Sequence, residues 1–174
     1  MCDVLSPLIV TLELDDRSFG ILDGLRKRYF RPERNLVPAH VTLFHQLPGQ
    51  EEPAISRALE DCCRAQPSFY LLASGLRKLG NGVAFELSSP TLTDIRDTLA
   101  IRWRPWLQPQ DLQRYRPHVT IQNKVSAAKA QALHDRLAAT FVPIPIEARG
   151  LLLWAYQGGP WDLRSRFSFG EGSG

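Results

Sequence analysis

Two copies of a short pattern carry the residue types in this chain that are best suited to chemistry. The first is His40-Val41-Thr42-Leu43 and the second, 78 residues later, is His118-Val119-Thr120-Ile121. Because side chains alternate along a strand, each copy would place one imidazole and one hydroxyl on one face, with the aliphatic residues behind. The 174 residues include only four histidines and seven threonines, so two such matches arise by chance at roughly 1%.

Two imidazoles and two hydroxyls brought together suit a phosphodiester. A neutral imidazole can take a proton from an attacking hydroxyl or water, and a protonated one can give a proton to the leaving oxygen. With an ordinary pKa of ~6.5, imidazole populates both forms near neutral pH. The threonine hydroxyls can donate to the non-bridging oxygens. The alternative is a pair of strand histidines whose hydrogen bonds are satisfied in a core.

The hydrophobic periodicity predicts strands and helices in alternation. Strands are expected at residues 8–14, 40–44, 69–73, 83–87, 118–121, 144–146, 151–154 and 161–169. Helices are expected after Asp15 or Asp16, around Ile55, from Ser89 and from Ser126. The glycines of Gly80-Asn81-Gly82 indicate a turn between two strands. Each histidine motif follows a helix and a proline-containing loop and precedes a helix and two strands, which predicts an internal duplication about a pseudo-two-fold axis.

The paired motifs resemble those of the 2H phosphoesterase superfamily, which includes bacterial 2'-5' RNA ligase-like proteins and cyclic nucleotide phosphodiesterases. The resemblance covers nearly the whole chain. It extends to the sequence around the motifs, namely to residues 34–39, 116–117, 153–156 and 158–161. It implies an α+β fold that is bilobal and duplicated, with two antiparallel sheets lining a central cleft and helices on the outside. Residues 1–174 would then form a single domain.

The same resemblance implies metal-independent chemistry, without a cofactor, on 2',3'-cyclic or 2'-5' phosphodiesters. The expected partners are RNA ends or nucleotides carrying such phosphates. By resemblance, His40 and His118 are the acid/base pair and Thr42 and Thr120 bind the phosphate. Neither the sequence nor the resemblance assigns the acid and the base, the natural substrate, or hydrolysis against the reverse reaction of 2'-5' ligation.

Three further residues are candidate substrate contacts. Arg116 has the strand parity of His118, so it would reach the phosphate if the strand begins before Pro117; the alternative is a surface arginine. Phe44 has the parity of His40 and would stack on a base, or else it is a core aromatic residue. Tyr115 lies on the long loop 104–117, which is a candidate gate for the cleft because loops of this length are often functional.

Other chemistry-bearing residues are expected outside the site. His45 has the opposite parity to the first motif, and His134 lies in a helix. The aromatic residues Trp154, Tyr156 and Trp161 are interpreted as packing and turn residues. Cys62 and Cys63 continue a helix face, which favours buried small hydrophobes over a redox pair. Cys2 is the remaining cysteine, and no spacing indicates a disulfide framework or a metal site.

The composition excludes several classes of protein. Hydrophobic residues make up 44% and charged residues 22%, which excludes a disordered or collagen-like chain. No apolar run approaches the ~20 residues of a membrane helix, and the first residues lack the pattern of a signal peptide, so we expect a cytoplasmic protein with no membrane association and no obligate protein partner. Of the 21 basic residues 17 are arginine, which favours a phosphate-bearing ligand or reflects a GC-rich genome. A non-catalytic module that binds RNA ends or nucleotide phosphates is the alternative function; a thiol- or metal-dependent hydrolase is disfavoured.

Overall fold

A computed structural model of the chain describes residues 5–170. Within this range the strands are β1 (Leu8–Leu14), β2 (Thr42–Leu47), β3 (Phe69–Lys78), β4 (Val83–Ser88), β5 (His118–Gln122), β6 (Ile144–Ala155) and β7 (Asp162–Ser168). The α-helices are α1 (Asp16–Tyr29), α2 (Glu52–Ala65), α3 (Pro90–Trp103), α4 (Pro109–Leu112) and α5 (Ala127–Ala139). Short 3-10 helices lie in the connections at Pro32–Arg34, Gly49–Glu51 and Arg104–Trp106. None of these helices is both long and apolar enough to cross a bilayer.

The seven strands form one antiparallel sheet, so the predicted α+β class is confirmed. The strand order is β2-β1-β6-β3-β4-β5, and β7 pairs with β6 beside this path. The two histidine motifs therefore lie at the two ends of the order, on β2 and β5. Strands at opposite ends of a sheet meet only when the sheet curls, which strand twist permits.

The prediction of two separate sheets is wrong, and β6 is the reason. We expected two short segments at residues 144–146 and 151–154, but they belong to one strand of 12 residues. Its first part pairs with β3, and its later part pairs with β1 and β7. Because one strand serves both parts of the sheet, the hydrogen-bonded ladder continues from β2 to β5.

Gly150 allows β7 to approach β6 closely. A Cβ atom at this position would lie 2.3 Å from the carbonyl oxygen of Phe167, well inside van der Waals contact. Because glycine has no Cβ atom, β6 pairs with β7 at this position without a break in the strand.

The predicted helix starts are confirmed by their caps. Side chains of Asp15, Ser89 and Ser126 accept hydrogen bonds from the backbone N–H groups three residues on, at the first turns of α1, α3 and α5. Gly80 has φ of +81° in the turn between β3 and β4, as its residue type predicts. These local signals fix where elements begin, independently of how the sheet curls.

The second helix packs its predicted apolar face into the core. Ile55, Leu59 and Cys63 of α2 are fully buried, and Cys62 is half-buried. Burial raises the pKa of the Cys63 thiol to about 12, so the thiol stays protonated at neutral pH. Cys62 and Cys63 therefore act as small hydrophobic residues, as predicted. Cys2 lies outside the described residues.

Candidate active site

Both histidine motifs open onto one small cavity of about 180 Å³. It is lined by Ile9, His40, Thr42, His45, His118, Thr120 and Trp161. The imidazoles and hydroxyls predicted from the two motifs are thus brought together, although β2 and β5 are at opposite ends of the strand order.

The segment that carries His40 is held on both sides. The buried carboxylate of Asp23, in α1, accepts a hydrogen bond of 2.9 Å from the backbone N–H of Ala39. The carbonyl group of Val41 accepts from the N–H of Leu12 in β1 at 2.9 Å. His40 therefore sits just before β2 begins, on a backbone fixed by a helix and by the neighbouring strand.

The second motif is held by strand pairing. His118 is paired with Glu86 of β4, and the N–H of Leu87 donates to the carbonyl oxygen of Pro117 at 3.0 Å. This contact continues the β4–β5 ladder in front of the motif. His118 is consequently the first residue of β5, whereas His40 lies two residues before β2 begins.

Each motif imidazole is oriented by the backbone carbonyl group two residues before it. Nδ1 of His40 lies 2.8 Å from the carbonyl oxygen of Pro38, and Nδ1 of His118 lies 2.9 Å from that of Arg116. A carbonyl oxygen only accepts, so Nδ1 carries the proton in both rings. Among the described residues, 5–170, neither Nε2 atom makes a hydrogen bond, so both are available for proton transfer.

Electrostatics separate the two rings. Burial is the largest cause that lowers the pKa of His40, to about 4, and nearby positive charges act in the same direction. The pKa of His118 is also lowered, again mainly by burial. The hydrogen bond from each Nδ1 to its carbonyl oxygen acts against this shift. His40 is therefore neutral at neutral pH in the free protein.

A guanidinium group stands behind the second ring. Nη2 of Arg77, on β3, lies 3.4 Å from Nδ1 of His118. Since that nitrogen already donates to the carbonyl oxygen of Arg116, it has no lone pair to accept with, and Arg77 acts through its charge. Glu86 holds this guanidinium at 3.8 Å and the Arg116 guanidinium at 2.7 Å.

The prediction that His45 lies outside the site is wrong. Strict alternation would turn it away from Thr42, but the β1–β2 pairing changes register between Val10 and Thr11. Leu43 and Phe44 are consequently both buried, and the alternation is interrupted. His45 returns to the face of Thr42 and lines the cavity. The one signal in the sequence is a pair of polar residues, 45 and 46, between apolar residues that both face the core.

Trp161 is more than a packing residue. Its ring lies 4.7 Å from the His40 ring between centroids, at an interplanar angle of 57°, and it lines the cavity. Trp154 lies behind it at 6.1 Å, and its indole N–H donates to the Thr11 hydroxyl at 2.9 Å. Tyr156 is exposed and does not line the cavity. The packing interpretation of Trp154 agrees with these contacts, whereas that of Trp161 is incomplete.

The other candidate contacts lie outside this cavity. Phe44 is fully buried, 5.0 Å from the ring of Trp103 between centroids, so the idea that it stacks on a base is wrong. Tyr115 donates its hydroxyl proton to the carbonyl oxygen of Thr42 at 3.0 Å. Arg116 is exposed and paired with Glu86. Tyr115 and Arg116 line a separate open groove of about 920 Å³, and His134 lies in α5, away from both.

Two buried arginines, which the sequence did not single out, connect the motif strands to helices. Arg26 of α1 donates to the carbonyl oxygen of Thr120 at 2.7 Å, and its guanidinium lies 4.0 Å above the ring of Phe30. Arg96 of α3 donates to the carbonyl oxygen of Leu43 at 3.3 Å. Each helix thus reaches the motif strand that belongs to the other half of the chain, which holds β2 and β5 on either side of the cavity.

Among residues 5–170, no three His, Cys, Asp or Glu side chains come together in an arrangement that could hold a metal ion. The polar groups that line the cavity are imidazoles and hydroxyls. Such groups move protons and donate hydrogen bonds to anionic oxygens.

Comparison with known proteins places this fold and cavity in a family. Residues 14–160 match the 2'-5' RNA ligase superfamily. Among solved structures, LigT of E. coli complexed with 3'-AMP superposes with a TM-score of 0.64 at 19% identity, covering 95% of this chain and 98% of that one. TT0787 of Thermus thermophilus superposes with a TM-score of 0.64 at 17% identity, covering 95% and 99%. E. coli LigT complexed with ATP gives 0.61 at 18% identity, covering 97% and 100%. No curated protein sequence matches the chain.

The chain belongs to the 2'-5' RNA ligase superfamily, a group of 2H phosphoesterases. The match spans both histidine motifs and the strands from β2 to β6. Membership supports an enzyme with a phosphodiesterase-type function. The solved structures, all below 20% identity, add the fold.

Proposed function

We propose that this protein is a metal-independent phosphodiesterase that acts on 2',3'-cyclic phosphate or 2'-5' phosphodiester bonds of RNA or nucleotides. The observation that carries the proposal is the shared cavity, in which His40 and His118 have Nδ1 anchored and Nε2 free. A cavity of about 180 Å³ can hold a phosphoryl group together with part of its ribose. Thr42 and Thr120 supply the hydroxyl donors for the non-bridging oxygens.

In the proposed hydrolysis His40 is the base and His118 the acid. His40 has the pKa of about 4, so it is neutral and its Nε2 takes a proton from water as the water oxygen bonds to phosphorus. The bond from phosphorus to one ribose oxygen of the cyclic phosphate breaks, and that oxygen takes a proton from Nε2 of His118. The product is a phosphomonoester next to a free hydroxyl. With a 5'-hydroxyl in place of water, the same steps form a 2'-5' linkage.

The rest of an RNA substrate is proposed to lie in the open groove next to the second motif. This groove includes Tyr115 and Arg116, the two residues of the long loop that we proposed as substrate contacts. LigT structures with 3'-AMP and with ATP support a nucleotide as the ligand. We also propose that residues 1–174 act as one domain, each half contributing one motif, and that the protein works in the cytoplasm, where its RNA substrates would be.

The test is turnover of nucleoside 2',3'-cyclic phosphates with EDTA present. The wild-type protein is expected to open the ring, and His40→Ala and His118→Ala are each expected to lower kcat by ~10²-fold or more, the scale of general acid–base catalysis. His134→Asn, which changes a histidine in α5, is the control. Turnover at the wild-type rate in both alanine variants would contradict the assignment. Binding of a nucleotide phosphate without any turnover would instead favour the non-catalytic module.

A further inference from the structure

A third histidine faces the cavity, and it has a partner that the two motif histidines lack. Nδ1 of His45 lies 2.8 Å from Oδ1 of Asp111, whose side chain is fully buried. The motif rings are anchored on neutral carbonyl oxygens instead. His45 is thus the imidazole in this cavity whose anchor carries a negative charge.

Asp111 is fixed in place by several hydrogen bonds. Its carboxylate accepts from the backbone N–H of His45 at 2.9 Å and from that of Gln46 at 3.2 Å. The guanidinium of Arg96 donates to the backbone carbonyl oxygen of the same residue. The carboxylate is therefore a rigid acceptor, and the short helix α4 that carries it is held against β2.

These contacts decide which nitrogen of His45 is available. A carboxylate accepts, so Nδ1 of His45 carries a proton in every charge state of the ring. Nε2 makes no hydrogen bond within residues 5–170, and the side chain is partly exposed at the cavity. A protonated ring can therefore donate from Nε2 while its charge is balanced by Asp111. Burial is the largest cause that lowers the pKa of both motif histidines, and a charge on the His45 ring would act in the same direction.

We propose that Nε2 of His45, with its ring held by Asp111, donates a hydrogen bond to a non-bridging phosphoryl oxygen, so that a third imidazole joins the phosphate-binding groups of the cavity. The proposal rests on the proposed function for the identity of the substrate. It adds a phosphate-binding residue outside the two repeated motifs. The pair would hold the phosphomonoester product as well as the diester, since both present non-bridging oxygens.

Two substitutions of His45 separate binding from a merely structural role. His45→Asn retains a donor close to the position of Nδ1, within reach of Asp111, but removes the nitrogen that faces the cavity. His45→Gln retains a donor close to the position of Nε2 but loses the contact with Asp111. If the His45–Asp111 pair only holds α4 against β2, His45→Asn binds phosphate as the wild type does. If His45 binds phosphate, His45→Asn binds it more weakly.

The experiment is a titration of the wild type and of each variant with inorganic phosphate, followed by calorimetry, with thermal unfolding measured in parallel. In the wild type the titration is also followed by the imidazole resonances of His45. His45→Asn is expected to weaken phosphate binding by about tenfold, the loss of one charge-assisted hydrogen bond, while its unfolding temperature stays near that of the wild type. His45→Gln is expected to bind more tightly than His45→Asn. The control His134→Asn is expected to bind like the wild type.

Phosphate affinity of His45→Asn within about twofold of the wild type would overturn the proposal, as would wild-type His45 resonances that do not move when phosphate is added. This readout needs no turnover. Phosphate binding that depends on His45, in a protein that leaves cyclic phosphates intact, would reject the proposed reaction and keep this site. Turnover of cyclic phosphates with an unchanged KM in His45→Asn would keep the proposed reaction and reject this site.

Discussion

The surroundings of His40 and of His118 differ, although the two motifs are nearly identical in sequence. Both rings hold Nδ1 on the carbonyl oxygen two residues back. Behind His40 lies the aromatic ring of Trp161, whereas behind His118 lies the guanidinium of Arg77. The motif fixes the tautomer of each histidine, and residues distant in sequence fix the environment of its ring.

A division of roles between two identical side chains requires that their protonation states differ. A base must be neutral before the reaction, and the ring of His40, with a pKa of about 4, meets that condition. An acid must be protonated. Burial, and after it the charge of Arg77, lowers the pKa of His118, while the hydrogen bond from its Nδ1 to the carbonyl oxygen of Arg116 acts against this shift. Three predictions test this comparison, in order of decreasing expected effect.

The largest effect separates acid from base through the leaving group. His118→Ala is expected to lower kcat on a 2',3'-cyclic nucleotide by ~10²-fold or more, but to have a much smaller effect on a 4-nitrophenyl phosphodiester. The reason is that nitrophenolate departs without a proton, so the acid is not needed. His40→Ala is expected to lose activity on both substrates. Steady-state kinetics on the pair of substrates measure this, and the opposite pattern would exchange the two roles.

The second effect is on stability, and it compares the two buried arginines that hold the motif strands. Arg26→Met and Arg96→Met each remove a hydrogen-bond donor from a carbonyl oxygen of a motif strand, at Thr120 and at Leu43 respectively. Each is expected to lower the free energy of unfolding by about 2–3 kcal/mol, measured by urea denaturation. The control is Arg64→Met, an exposed arginine paired with Glu60, which is expected to cost less than about 0.5 kcal/mol. Arginine variants as stable as this control would show that the contacts across the cavity are dispensable.

The smallest effect is a shift in the pH profile. The charge of Arg77 lowers the pKa of His118, so removing it in Arg77→Met favours the protonated ring and raises that pKa. Because the acid then stays protonated to higher pH, the alkaline limb of kcat/KM is expected to move up by about half a pH unit, with the acid limb unchanged. Arg77→Lys keeps the charge and is the matched control. A shift of the acid limb alone would assign the base to His118.

Local signals in the sequence predicted the elements well. The caps at Asp15, Ser89 and Ser126 depend on contacts within one turn of chain, so they can be read directly from residue types. The alternation within His-Val-Thr predicted which side chains share a face. That rule failed at His45 and Phe44, because a change of register between β1 and β2 is a property of two strands, and the second strand is distant in sequence.

The sequence by itself predicted the candidate reacting groups, because the types and the matched spacing of two imidazoles and two hydroxyls indicate their chemistry without coordinates. Only the tertiary structure decided that these groups share a cavity, that β6 joins the strands into one curled sheet, and that His45 joins the site. The physical reason is the range of the interactions. Strand alternation and helix caps act over a few residues, whereas sheet curl, burial and the charges of Arg77 and Asp111 act between segments that only folding brings together.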